Sequence, residues 1–336
     1  MKLLIITQKV DKNDPILGFF HAWLNEFAKN LESIIVICLY KGEVNLPNNV
    51  KVLPLGKENG VSRIKYIFNF YKYIWNERKN YDKVFVHMNP IYVILGGFAW
   101  SFLGKRIALW YTHKNVDLKL KLAEKICHVI FTASKESFRL KTTKLKIMGH
   151  GIDTDVFHQK DISNKDQYSI VSVGRISQAK NQDLMIEALG HLKENNIQLI
   201  LVGDAITKED FIYKDDLKKR IEKLGLINRV SWIGSVNNRD VIRYYQNANL
   251  FINLSNTGSL DKAILEAMSC GLQVLTSNEA FKNILDQVSV VDNNVRNIAE
   301  KIVFFSKKPI SRNYRDYIIE KHQLKNLIMN IVKVLE

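Results

Sequence analysis

The chain has 336 residues, a formal net charge of +15, 46% apolar and 25% charged residues, enough to bury two ordinary cores and too apolar for wholesale disorder. No apolar run reaches the roughly 18 residues that span a bilayer, and Cys38, Cys127 and Cys270 show neither metal-ligand spacing nor a disulfide framework, so a reducing cytoplasm is expected. Charge is uneven: residues 1–160 hold 25 Lys/Arg against 13 Asp/Glu, a field that attracts nucleic acid, acidic lipid or phosphorylated substrate, with a lysine-decorated solvated surface as the plainer reading.

In chain order, LLIIT (3–7) reads as an opening buried strand rather than a signal segment, because the chain turns polar at once. A helix over 19–31 and the strand IIVICL (34–39) follow. Residues 61–81 form an amphipathic segment that mixes Arg63, Lys65, Lys72, Arg78 and Lys79 with many aromatic and aliphatic residues. Such a helix is either a domain helix with a basic outer side or one that lies on an anionic membrane surface. KVFVH (83–87) ends in His87 and is followed by Pro90 at a helix start; RIALWY (106–111) leads to His113, and VIFTA (129–133) precedes GHG (149–151) with His150. The polar run HQKDISNKDQ (158–167) is the expected linker. Beyond it come the strands YSIVSVG (168–174), QLILVG (198–203), NLFINL (249–254) and QVLTS (273–277), with helices over 181–194, 214–224 and 294–306. The segment 312–335 closes the chain as one or two helices. Continuous apolar strands alternating with helices imply parallel sheets covered on both faces. Two doubly wound α/β domains are expected, over 1–160 and 165–314.

In such sheets ligands bind beyond the carboxyl ends of the strands, and Gly18, His87, His113, Gly151, Gly174-Arg175, Gly203-Asp204, Gly234 and Gly258 all follow strand-like runs. Neither GxGxxG nor GxxxxGK[ST] occurs, which counts against a dinucleotide dehydrogenase or a P-loop enzyme. Arg175 and Lys180 stand five apart in one loop, able to meet phosphate charge together. Ser259 is the expected N-cap of the following helix, with Asp261 in its first turn and free N–H groups that form an anion site. Ala263, Ile264, Ala267 and Met268 make that helix's buried stripe and leave Lys262 and Glu266 one turn apart on another face, where an ordinary ion pair is the plain alternative.

VGRISQAKN (173–181), ILVGD (200–204), VSWIG (230–234), YYQNANLFINLS (244–255) and LEAMSCG (265–271), in this order, resemble the C-terminal half of family-4 retaining glycosyltransferases. LGFF (17–20), WYTH (110–113) and GHGIDTDVF (149–157) resemble the acceptor-domain loops of the same family. The resemblance implies the GT-B fold, two Rossmann-like domains facing each other across a cleft, with a C-terminal helix at about 315–336 packed back on the first. It implies that Arg175 and Lys180 hold the donor diphosphate and that Glu266 binds the ribose. It also implies that Gly18, Gly174, Gly203, Asp204, Gly234, Ser235, Gly258, Ser259, Leu260 and Lys262 line the donor. The family's E-x7-E pair places a glutamate where this chain has Gly258; Asp261 is then the nearest carboxylate able to meet the sugar. His113 matches the family histidine that reaches the transferring sugar, with His150, where many relatives carry Asn, and His87 behind it. No metal or cofactor is expected beyond a nucleoside-diphosphate sugar, UDP-linked by preference, and the acceptor is a glycan or a lipid-linked molecule. A sugar-nucleotide epimerase and a non-catalytic nucleotide-sugar or nucleic-acid binder are the competing classes. No RNP, helix-turn-helix or zinc-finger signature points to nucleic acid. A cytoplasmic protein peripheral to the inner face of a membrane is expected.

Overall fold

In the computed structural model, which describes residues 1–160, 167–192, 196–255, 258–308 and 314–336, the first half of the chain builds a seven-stranded sheet. Its strands are β1 (Lys2–Val10), β2 (Ser33–Lys41), β3 (Val50–Pro54), β4 (Lys83–His87), β5 (Arg106–Trp110), β6 (Val129–Thr132) and β7 (Leu145–Ile147). All pair in parallel, in the order β3-β2-β1-β4-β5-β6-β7. Period-2 geometry sends Leu3, Ile5, Ile34 and Phe85 to one face and Leu4, Ile6, Ile35 and Val84 to the other. Both sets are buried, which is why these strands read as continuous apolar runs. Helix α1 (Phe19–Asn30) lies on the first face; α2 (Arg63–Asn76), α3 (Pro90–Phe102) and α4 (Leu118–Ile126) cover the second.

The second sheet holds β8 (Tyr168–Val173), β9 (Ile197–Val202), β10 (Val230–Gly234), β11 (Leu250–Asn253) and β12 (Gln273–Thr276), parallel in the order β10-β9-β8-β11-β12. It carries α5 (Gln182–Gly190), α6 (Lys208–Lys223), α7 (Ile242–Gln246), α8 (Lys262–Ser269) and α9 (Val295–Lys307), and the chain ends in α10 (Arg315–His322) and α11 (Leu324–Leu335). Ile170, Leu199, Leu201, Leu250 and Ile252 meet Ile186, Leu217 and Ile302 in its core. Both sheets have the Rossmann-type order, each reversing direction beside its first strand.

Two compact units result, Met1–Asp153 with Lys321–Glu336, and Thr154–Glu320. The boundaries differ from those expected. Residues 154–160 belong to the second unit because the Arg315 guanidinium donates to the carbonyls of Thr154 (2.8 Å), Phe157 (2.8 Å) and Ser269 (2.7 Å). The same bonds keep Arg315–Glu320 there; residues 161–166 of the expected linker lie outside the described residues. Helix α11 packs Leu327, Ile328, Ile331 and Leu335 beside α1 in the first core, and Ile152 pairs with Gln323. Glycine is required at 149, where φ is +82° and a Cβ would come within 2.2 Å of the Lys321 carbonyl.

Strands β3 and β7 escape a reading of the sequence because they are short, partly exposed edge strands with lysines at Lys51 and Lys146. Helix α6 starts at Lys208, six residues before the periodicity begins, because Thr207 and Asp210 form a reciprocal capping box ahead of a polar first turn.

Candidate functional site

In the second unit β8 and β11 are neighbours at the reversal of strand order, so the loops that follow them meet. The first loop carries Gly174, Arg175 and Lys180; the second runs to α8. The meeting is direct: Lys180 Nζ donates to Asp261 Oδ2 at 2.5 Å. Asn181, at φ +51°, donates from its side chain to the Leu254 carbonyl (2.7 Å) and pins the first loop to the end of β11. The N-cap of α8 is Asp261, not Ser259: Asp261 Oδ1 accepts from the Ala263 amide at 3.1 Å. The Ser259 carbonyl is instead taken by the Asn278 side chain, and Leu260 is buried. Asn253, the last residue of β11, donates to Asp261 Oδ2 at 3.1 Å. Burial opposes ionisation of Asp261, but the Lys180 charge and hydrogen bond, with Asn253 and the Ala263 amide, hold it below the usual carboxylate range. Gly258 has φ +58°, a left-handed turn before the helix.

Glu266, expected on a face of α8 away from its buried stripe, is itself buried. Tyr245 donates to Oε2 and Asn238 to Oε1, both at 3.2 Å, and Lys262 Nζ lies 3.1 Å from Oε1. The ordinary i,i+4 pair is therefore present, inside a larger polar cluster. Burial first, then the Glu266 charge, push the Tyr245 phenol well above its ordinary range, so it stays a donor. An ionised carboxylate has about four lone-pair sites, which leaves acceptor capacity on Glu266.

Arg175 is half-exposed and reaches Asp210 at 3.7 Å. Burial works against the Asp210 carboxylate, yet the Thr207 and Ile206 amides and Arg175 keep its pKa low. The strand ends beside this loop are closely fitted. A Cβ on Gly203, where φ is +133°, would lie 2.0 Å from the Gly174 carbonyl, and the Gly203 amide donates to Gly234 at 2.9 Å. Asp204 accepts from Lys214 at 2.6 Å, a bond that lowers its pKa with help from the Ala205 amide. Ser235, after Gly234, is exposed. Among the described residues no group of three His, Cys, Asp or Glu stands close enough to hold a metal ion.

The first unit holds four of the expected positions, Gly18, His87, His113 and His150. His87 is enclosed: Nδ1 is 3.2 Å from Thr7 Oγ1, and the ring stacks on Phe20 with centroids 4.1 Å apart. Burial drives its pKa down to about 3, so it is a neutral packing group that holds α1 against β4. The His150 amide donates to His322 Nδ1 at 3.2 Å, where the chain meets its own C-terminal segment. His113 is exposed, and its Nδ1 accepts from the Asn115 amide at 3.1 Å, which leaves the proton of the neutral ring on Nε2. Gly18 precedes α1, and a Cβ there would meet the Asp14 carbonyl at 2.4 Å.

Sequence reasoning missed Asp210, Asn238, Tyr245 and Asn253 as partners of the expected residues. Tyr245 and Asn253 lie in the quoted run YYQNANLFINLS, but a run of residues does not say which carboxylate a hydroxyl or amide will meet.

The model of the family described as Glycosyl transferases group 1 matches residues 153–324. Over 146 residues the chain is 28% identical to N-acetylgalactosamine-N,N'-diacetylbacillosaminyl-diphospho-undecaprenol 4-alpha-N-acetylgalactosaminyltransferase of Campylobacter jejuni, covering 43% of this chain and 37% of that protein. Over 172 residues it is 27% identical to a polypeptide of the phosphatidylinositol N-acetylglucosaminyltransferase of Homo sapiens, covering 49% and 34%. The matches thus span about a third of each relative's length. HepE of Anabaena, solved in complex with UDP, superposes with a TM-score of 0.78 at 17% identity, over 100% of this chain and 99% of that one. That likeness establishes the GT-B fold, with its two Rossmann-like sheets. With its family match spanning half the chain, and with the loops of that fold built as described, the chain belongs to the group 1 glycosyl transferases.

Proposed function

We propose that the protein moves a sugar from a nucleoside-diphosphate sugar, UDP-linked, to a glycan or lipid-linked acceptor with retention of configuration. It would serve cell-surface polysaccharide or glycolipid synthesis on the cytoplasmic side of a membrane. The observation that carries this reading is the meeting of Lys180 with the N-terminus of α8 at the strand reversal. A lysine beside a helix N-terminus is a site for a diphosphate. Lys180 and the half-exposed Arg175 neutralise the charge that grows on the leaving diphosphate. Glu266, already oriented by Tyr245 and Asn238, accepts the ribose hydroxyls.

Asp261 in this reading positions rather than reacts. Its two oxygens are engaged by Lys180, Asn253 and the Ala263 amide, so it aims the lysine and caps the helix that both serve the diphosphate. With Gly258 in place of a side-chain carboxylate, the sugar pocket is altered while the nucleotide side is kept. His113, whose Nδ1 is taken by the Asn115 amide, offers its Nε2–H as a donor to the transferring sugar. The leaving phosphate accepts the proton of the attacking hydroxyl, so no further base is assigned. Names of relatives support the acceptor class: the Campylobacter protein is named for a diphospho-undecaprenol compound and the human one for phosphatidylinositol.

A screen of UDP- and GDP-sugars that follows donor consumption tests the reading, with calorimetry of UDP on wild type and Glu266→Gln. Consumption of a UDP-sugar in the presence of chelator, and UDP affinity lowered by Glu266→Gln, are expected. The anomeric coupling constant of the product reports retention. No nucleotide bound below millimolar concentration, together with no donor consumed, would sink the proposal.

A further inference from the structure

The helices on the second face of the first sheet are apolar on their outer sides as well as their inner ones. In α2, Phe70 and Ile74 enter the core, while Ile64, Phe68, Tyr71 and Trp75 form a second stripe at i, i+4, i+7 and i+11 that faces solvent. Ile64 is 81% exposed and Phe68 66%. Helix α3 has no charged residue in its 13 positions, and Ile91, Phe98 and Phe102 repeat the outward spacing, Phe98 at 86% exposure and Phe102 at 77%. The Tyr71 hydroxyl donates to the Leu95 carbonyl at 2.8 Å, which sets the two stripes side by side. Helix α4 packs against α3, with Ile126 close over Gly97, and adds the exposed Leu118 and Leu122. Single exposed apolar residues are ordinary; adjacent outer stripes on α2 and α3, extended by two leucines of α4, make an interaction surface.

Charge selects the occupant. Lys65 and Lys72 flank the α2 stripe, and Lys119, Lys121 and Lys125 are exposed on α4. The nearby acids are engaged elsewhere: Glu77 with Lys51, Glu124 with Thr142, and Asp117 in capping α4. A second copy docking on this face would bring lysines against lysines. An anionic bilayer offers opposite charge at its headgroups and an apolar layer just beneath. No helix among the described residues is long and apolar enough to cross a membrane, so the contact is one of surface seating.

We propose that the α2–α3–α4 face of the first unit docks on an anionic lipid bilayer, its aromatic side chains at the headgroup–acyl boundary and its lysines on the headgroups. This holds whatever sugar chemistry the second unit performs. Of the five tryptophans, Trp75 alone is exposed, which makes it a built-in reporter.

The test is co-sedimentation of the full chain with vesicles of equimolar phosphatidylglycerol and phosphatidylcholine, and with pure phosphatidylcholine vesicles, at low salt. Binding to the anionic vesicles is expected, with a blue shift of fluorescence that Trp75→Phe removes. The pair Phe98→Ser and Phe102→Ser, exposed and outside the core, should weaken partitioning roughly tenfold or more. The pair Lys65→Glu and Lys72→Glu should weaken it by roughly thirtyfold or more. Circular dichroism and UDP calorimetry check that each variant is folded. Wild-type protein left in the supernatant overturns the proposal, as does binding that the folded Phe98/Phe102 variant retains in full. A dimer in sedimentation equilibrium that the same variant dissolves would assign the face to a second copy and overturn it equally.

Discussion

Lys180 and Arg175 share a loop, but their partners differ. Lys180 is tied to Asp261 at 2.5 Å, whereas Arg175 reaches Asp210 at 3.7 Å and is half-exposed. Substitution of either by Ala should lower kcat/KM by roughly 100-fold if both meet the leaving diphosphate, measured with the donor identified by screening. Their effects on stability should separate. Lys180→Ala leaves a part-buried carboxylate with its cation gone, a change worth about 1–3 kcal/mol, so its urea midpoint should fall. Asp210 keeps the amides of Ile206 and Thr207 (3.3 and 3.0 Å) after Arg175→Ala, so that midpoint should stay close to wild type. The two cations stand out in the sequence because phosphate chemistry needs charge just after a strand. The counter-ion of Arg175 does not, since Asp210 lies ahead of the helix expected over 214–224; Asp261 stands out as a first-turn carboxylate, but not as the partner of Lys180.

At the scale of the element, α8 is organised by one residue. Asn caps a helix about as well as Asp, while Ala costs about 1 kcal/mol. Asp261→Asn should therefore keep the helix yet release Lys180, raising KM for the donor with little change in which sugar is accepted. Asp261→Ala should add a loss of stability. A shift of sugar selectivity with KM unchanged would instead mean that Asp261 touches the sugar. Helix α11 is organised by its apolar side. Ile331 is fully buried beside α1, so Ile331→Ala should cost about 2–5 kcal/mol by denaturant unfolding. The periodicity of 312–335 shows that a helical segment exists there, but the core that receives it comes from the opposite end of the chain.

Across the molecule, buried histidines set an acid limit. Burial lowers His87 to about 3 and His322 to about 4, against roughly 6.5 in an unfolded chain. Between these values the unfolded chain binds more protons, so stability is whole above pH about 6.5 and falls as the pH drops toward the folded values. Each histidine contributes a slope of up to about 1.4 kcal/mol per pH unit. The depressed carboxyls of Asp14 and Asp261 act in the same direction at lower pH, their contribution lost as pH falls below the ordinary carboxylate range. Urea midpoints measured from pH 7 to 4 should decline, and His87→Phe should flatten the decline. A midpoint independent of pH over that range would contradict the burial of these rings.

By itself the sequence determined two α/β units with parallel sheets, since strands apolar on both faces can only be buried between helices. It also determined which loops carry chemistry: ordered runs such as VGRISQAKN and LEAMSCG place cations and a carboxylate beyond strand ends. Tertiary structure alone decided which groups meet. Strand order brings the ends of β8 and β11 together, and only then do Lys180, Asn253 and Asp261 become one cluster. Packing turned His87 from a strand-end histidine into a core ring, and Arg315 drew residues 154–160 into the second unit. It also chose which of two apolar faces on α2 is buried. Periodicity counts apolar residues around a helix, whereas the neighbours that cover them arrive from distant parts of the chain.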